Sequence, residues 1–232
     1  MKAQQTIAII GAGLMGHGLA LVFGRVGHPV RVYDAQPAAL ASLHERIAAD
    51  LASLGESDDF RHLVTAHASI AEAVATADIV IEAAPEKLEL KQQIFAELVQ
   101  FAPAGALLAS NTSVMPISGI AAGLPTADRI LGTHWWNPPF LVPLVEVIAT
   151  PDTSADAIAR MMTLLSAVGK TPVHVKKDVP GFVGNRLQHA LWREAIAIVA
   201  DGIADAETVD TVVKSSFGRR LAVLGPLENA DL

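Results

Sequence analysis

The sequence predicts an α/β chain in two parts: a doubly wound, mostly parallel sheet with helices on both faces, then a small all-helical domain. Three observations predict it. Short β-branched apolar runs alternate with longer amphipathic or alanine-rich stretches, the pattern of strands buried on both faces and connected by crossover helices. A glycine-rich turn joins the first apolar run to the first helical stretch. After Val175 the polar break Lys176-Lys177-Asp178-Val179-Pro180-Gly181 gives way to helical periodicity alone.

Taken in order, strands are expected near residues 6–10, 30–34, 63–66, 78–83, 106–110, 129–134, 144–149 and 173–176. Each is a short apolar run such as Ile7-Ala8-Ile9-Ile10 or Ile79-Val80-Ile81, of the composition that fits a buried pleated surface. Helices are expected between most of them, near 15–26, 37–54, 70–75, 88–101, 117–122 and 154–168, and then at 182–201 and 206–217. The domains are therefore expected at 1–179 and 180–232. Gly225-Pro226 opens a turn into another helix where the sequence stops, so the helical domain reads as cut short. About 50 residues of helix can hardly bury both faces alone, and a homodimer is expected to cover them.

A chain of 232 residues can bury a core without staples, and 51% hydrophobic against 18% charged residues places it among folded proteins. The formal net charge of −7, with no extended basic stretch, argues against a nucleic-acid partner. The absence of cysteine excludes disulfides, thiol nucleophiles and iron–sulfur ligation, and is compatible with a cytoplasmic location. The histidines form no metal-binding spacing, so no metal is expected. The longest apolar stretch, residues 7–23, is interrupted by His17 and by glycines, which makes it a poor membrane span and a poor signal peptide.

Gly11-Ala12-Gly13-Leu14-Met15-Gly16 follows a strand and opens a helix, the context in which G-x-G-x-x-G binds a dinucleotide in a Rossmann-type fold. Gly11 permits the tight turn, Gly13 lets the backbone approach a diphosphate, and Gly16 allows helix and strand to pack closely, while Leu14 and Met15 start the helix whose amides face the anion. Asp34, at the end of the second strand, is placed to accept hydrogen bonds from a ribose. Ala35 and Gln36 offer no cation for a 2′-phosphate, so the expected cofactor is NAD.

Oxidation of an alcohol needs a base for the hydroxyl proton, and a histidine oriented by a carboxylate suits neutral pH. His134 closes a strand, Asn137-Pro138-Pro139 turns the chain, and Glu146 lies in the returning strand. A hairpin-like return would set the two side by side, fixing the ring tautomer and raising its basicity. Alone, a histidine at a strand end is structural more often than catalytic.

The ordered series Gly-x-Gly-x-Met-Gly at 11–16, Glu86 with Lys91, Ser110-Asn111-Thr112-Ser113, His134-x-x-Asn137-Pro138, Leu144-Val145-Glu146 and Lys177-Asp178-x-Pro180-Gly181-Phe182-x-x-Asn185-Arg186 resembles the L-3-hydroxyacyl-CoA dehydrogenase family over nearly the whole chain. The resemblance implies NAD-dependent oxidation of a hydroxyl β to a carbonyl, by a Rossmann-type domain followed by a helical dimerising domain. It implies His134 as base, Glu146 as its orienting carboxylate, and Ser113 and Asn185 as partners of the substrate oxygen. It implies that Glu86, Lys91, Asn111 and Asn137 line the nicotinamide half of the cofactor.

Two departures bear on the small-molecule substrate. Acyl-CoA members of the family have Met-Lys before Leu-Val-Glu, where this chain has Val142-Pro143, a pattern similar to relatives acting on CoA-free hydroxy acids such as gulonate, carnitine or a pyridine carboxylate. Acyl-CoA members also meet the CoA nucleotide with lysines between the second and third strands. Residues 36–62 here hold no lysine, and two arginines face five acids there. An acidic rim repels a polyanion over the range that salt allows. An acyl-CoA thioester is the first expectation and a CoA-free hydroxy acid the alternative. Two further readings carry less weight. A related dehydrogenase group shares the glycine pattern but uses a helical lysine, and residues 182–201 contain none; a silent, crystallin-like protein would not need the intact set of His134, Glu146, Ser113 and Asn185.

Overall fold

The computed structural model describes residues 4–231. Eight strands form: β1 Ile7–Ile10, β2 Val30–Tyr33, β3 Val64–Ala66, β4 Ile79–Glu82, β5 Leu107–Ser110, β6 Ile130–Trp135, β7 Leu144–Ile148 and β8 Thr171–Val175. They make one sheet in the order β3-β2-β1-β4-β5-β6-β7-β8. All neighbours are parallel except β6 and β7, which pair antiparallel. The chain reverses direction in the sheet at β1, the crevice where such sheets bind ligands beyond the carboxyl ends of their strands. This is the doubly wound sheet expected from the apolar runs.

Alternate residues of the central strands β1, β4 and β5 feed two separate cores, because successive side chains point to opposite faces. Ile7 and Ile9 face helices α1 (Leu14–Gly24), α3 (Leu43–Leu54) and α7 (Ala155–Ala167), packing with Phe23, Leu51 and Met161. Ala8 and Ile10 face α4 (Ile70–Val74), α5 (Leu88–Phe101) and α6 (Ile117–Ile120), packing with Val74, Phe95 and Ile117. Strands buried on both faces must be apolar throughout, as β1 and β4 are in all but Glu82.

Two elements differ from expectation for local reasons. The helix expected over residues 37–54 is broken into α2 (Pro37–Ala41) and α3, because the Ser42 hydroxyl donates to the carbonyls of Ala38 and Ala39 at 3.0 and 3.4 Å and competes with helical bonding. The last strand begins two residues earlier than expected and contains Pro172; β8 is an edge strand, where a missing N–H is tolerated.

The chain divides into two compact units, Met1–Phe182 and Val183–Leu232. The second holds α8 (Gly184–Ala200), α9 (Ala206–Ser215) and α10 (Pro226–Ala230). Asp205 caps α9 through the Thr208 amide at 2.8 Å, and Glu228 reaches back to the Gly225 amide at 2.7 Å to start α10. None of these three helices contains a buried residue. Leu187, Trp192 and Ile196 of α8 are 56%, 50% and 68% exposed.

Candidate active site

Gly11 to Gly16 link β1 to α1 in a conformation only glycine allows at two points. Gly11 has φ 110°, and a Cβ there would stand 2.6 Å from the Ala83 carbonyl oxygen. A Cβ on Gly16 would stand 1.8 Å from the Gly11 carbonyl oxygen, so the helix rests directly on the turn. Gly13 is different: nothing lies within 4 Å of the position its Cβ would take. Asp34, just beyond β2, accepts from the Ala12 amide at 2.6 Å and from the Gln36 amide at 2.7 Å. Gly11, Gly13, Leu14, Met15 and Asp34 line a cleft of about 720 Å³, closed on the other side by Leu90 and Ile94 of α5. The open backbone at Gly13, the anchored acceptor at Asp34 and the cleft between them fit the diphosphate and ribose of a dinucleotide. Sequence reasoning missed Arg46, whose guanidinium donates to the Gly13 carbonyl at 3.2 Å and to the Ala12 carbonyl.

At the carboxyl end of β4 lies a polar knot in an otherwise apolar layer. Lys91 is 1% exposed, its ammonium 2.7 Å from Glu82 and 3.3 Å from Glu86. Glu82, fully buried, also accepts from the Ser110 hydroxyl at 2.6 Å and the Ala84 amide at 2.7 Å. Glu86 accepts from the Thr112 hydroxyl and from the Ser113 amide at 3.0 Å. Burial pushes the Glu86 carboxyl up, but the Thr112 hydroxyl, the Lys91 charge and the Ser113 amide together hold it below the ordinary carboxylate range. The structure thus turns Lys91 inward, toward two carboxylates rather than toward the cleft. Glu82 was not singled out from sequence; the only signal was one acid ending an apolar strand.

His134 and Glu146 are directly opposed in the antiparallel pair of β6 and β7, with His134 Nδ1 2.7 Å from Glu146 Oε2. Both are nearly fully buried. A carboxylate at that distance accepts from Nδ1–H and leaves the lone pair on Nε2, which has no hydrogen-bond partner among the described residues. The rings of Trp136 and Phe182 lie 5.1 and 5.6 Å from the imidazole; Trp136 was not singled out from sequence, and Phe182 entered only as part of the motif around Pro180-Gly181. Phe182 reaches it through a left-handed pair, Gly181 at φ 73° and Phe182 at φ 50°. Asn111 accepts from the Trp135 amide at 3.0 Å, tying the end of β5 to the end of β6. Asn137 is exposed at the following turn, whose carbonyls at Pro139 and Val142 are held by Lys170. Ser113 lies exposed beyond β5, and Asn185 stands in the first turn of α8, in the second unit.

The family model described as "3-hydroxyacyl-CoA dehydrogenase, NAD binding domain" matches residues 6–179, and that of the "3-hydroxyacyl-CoA dehydrogenase, C-terminal domain" matches residues 181–232. The chain belongs to the 3-hydroxyacyl-CoA dehydrogenase family. It is 37% identical to a 5-formyl-3-hydroxy-2-methylpyridine 4-carboxylate 5-dehydrogenase of Mesorhizobium japonicum, over 98% of this chain and 75% of that protein. It is also 37% identical to an L-carnitine dehydrogenase of Streptomyces griseus, over 95% of this chain and 67% of the relative. The structure of 3-hydroxybutyryl-CoA dehydrogenase from Escherichia coli superposes with a TM-score of 0.86 at 34% identity, covering 91% of this chain and 46% of that one. Members of this 3-hydroxyacyl-CoA dehydrogenase family are NAD-dependent dehydrogenases acting on CH–OH groups, and so is this protein. Its relatives include both thioester and CoA-free substrates.

Proposed function

We propose that this protein oxidises the hydroxyl of a small, CoA-free hydroxy acid, with His134 as the base and Glu146 as its orienting carboxylate. The observation that carries the chemistry is the 2.7 Å contact between His134 Nδ1 and Glu146 in a buried strand pair. His134 Nε2 takes the hydroxyl proton, and Glu146 stabilises the imidazolium that results. The rings of Trp136 and Phe182 flank the imidazole at 5.1 and 5.6 Å. Bound NAD supplies the hydride acceptor. Gly11, Gly13, Leu14, Met15 and Asp34 hold the adenosine and diphosphate part, Gly16 shapes the turn, and Lys91 fixes Glu86 rather than touching the ligand. Asn111 holds the ends of β5 and β6 together, and Asn137 faces the nicotinamide half. Ser113 and Asn185 are proposed, on the family resemblance, as partners of the substrate oxygen.

The free acid is preferred because the segment between β2 and β3 offers a polyanion so little. Of its two arginines, Arg46 is turned inward onto backbone carbonyls, which leaves Arg61 against exposed Glu45, Glu56 and Asp59. The names of the M. japonicum and S. griseus relatives point the same way. A CoA thioester, and with it fatty-acid metabolism, is the second reading, favoured by the likeness to the E. coli 3-hydroxybutyryl-CoA enzyme. Turnover assays with 3-hydroxybutyryl-CoA beside free hydroxy acids decide between them, and activity on the thioester alone would remove the first reading. A cytoplasmic location fits the cysteine-free sequence. A homodimer through the helical unit fits the exposed apolar residues of α8.

A further inference from the structure

We propose that Arg46 is a positioning residue for the dinucleotide turn, acting from α3 by holding two of the turn's carbonyls so that its amides stay turned toward the diphosphate. The guanidinium donates to the carbonyls of Ala12 and Gly13, the latter at 3.2 Å, and also to that of Ala39 at 2.8 Å. A trans peptide points its carbonyl and the next residue's N–H in opposite directions. Fixing the Ala12 and Gly13 carbonyls against Arg46 therefore turns the N–H groups of Gly13 and Leu14 away from it. Those two amides make no hydrogen bond among the described residues, while the Ala12 amide is already taken by Asp34 at 2.6 Å. Two free donors beside a glycine with nothing within 4 Å of its Cβ position are what a diphosphate requires.

The arginine is itself held. His17 of α1 places Nδ1 2.8 Å from the Gly13 carbonyl oxygen and 3.1 Å from Arg46 Nη1, and its Nε2 lies 3.0 Å from Asp50, one turn along α3 from Arg46. At the break between α2 and α3 the Ala39 carbonyl accepts both from the Ser42 hydroxyl at 3.4 Å and from the guanidinium. A positive charge on the far side of the turn keeps two peptide dipoles aligned without itself touching the ligand.

The test is the affinity of the full chain for NAD by isothermal titration, with adenosine, which lacks the diphosphate, followed by ligand-observed NMR. Arg46→Met is expected to raise the NAD Kd about tenfold or more, with Arg46→Lys in between, since one ammonium cannot reproduce the fork. Adenosine affinity and the unfolding midpoint without cofactor are expected to stay near those of the parent. An NAD Kd within about twofold of the parent overturns the proposal, and so does an equal weakening of NAD and adenosine, which would be general damage. If Arg46→Met does not fold, Arg46→Lys decides alone: a raised NAD Kd with adenosine binding kept supports the role, and parent-like NAD binding overturns it.

Discussion

His134 gains its chemistry from where Glu146 stands. Ionised, the carboxylate accepts from Nδ1–H and so leaves Nε2 as the proton acceptor. Glu86 plays a quieter part. Its carboxyl is held below the ordinary range by the Thr112 hydroxyl, Lys91 and the Ser113 amide against the opposing effect of burial. A carboxyl depressed in the folded state adds stability that is present above its unfolded value and lost as pH falls through the lower folded value. Glu86→Gln is accordingly expected to be less stable than the parent at neutral pH, with the gap in urea midpoint closing in acid. A gap independent of pH would contradict this. His134 and Glu146 were legible because a two-strand return brings them together across 12 residues. The contacts of Arg46 with the Ala12 and Gly13 carbonyls, of Lys170 with Pro139 and of Phe182 with His134 were not, since these partners lie 31 to 48 residues apart and only the fold decides that they meet.

The elements show how far a pattern carries. Every strand was legible from its apolar run, and in β1, β4 and β5 burial on both faces forces that run. The break at Ser42 and the start of β8 were not, because a hydroxyl bonding back to Ala38 and the tolerance of Pro172 at an edge are set by local chemistry and sheet position. The strand-to-helix turn separates folding from function within one motif. Gly16→Ala puts a methyl into the Gly11 carbonyl and is expected to cost about 3 kcal/mol of stability. Gly13→Ala meets open space at a φ of −70° that alanine tolerates, so its stability is expected to stay within about 1 kcal/mol of the parent. The same substitution sets a methyl where the diphosphate approaches, and NAD affinity is expected to fall. Denaturant unfolding and isothermal titration on the two variants check both; a destabilised Gly13→Ala or an unperturbed Gly16→Ala would be inconsistent with the turn described.

For the molecule as a whole, the first unit carries two complete cores, whereas α8, α9 and α10 of the second bury none of their residues within the chain. Exposed Leu187, Trp192 and Ile196 on one helix are more apolar surface than a solvated helix needs. Light scattering at micromolar concentration is expected to give twice the mass of the chain, and a monomer there would count against the dimer. Oxidation of a hydroxyl by NAD, with the pair of His134 and Glu146 as the base, is the step to test. Its most direct measurement is NADH formation by the purified protein with NAD and a panel of L-3-hydroxybutyryl-CoA, gulonate, carnitine and pyridine alcohols, run beside His134→Gln. Turnover on a free hydroxy acid is expected, and it is expected to fall about a hundred- to ten-thousand-fold in the variant while NAD still binds. Turnover that survives His134→Gln unchanged would contradict it.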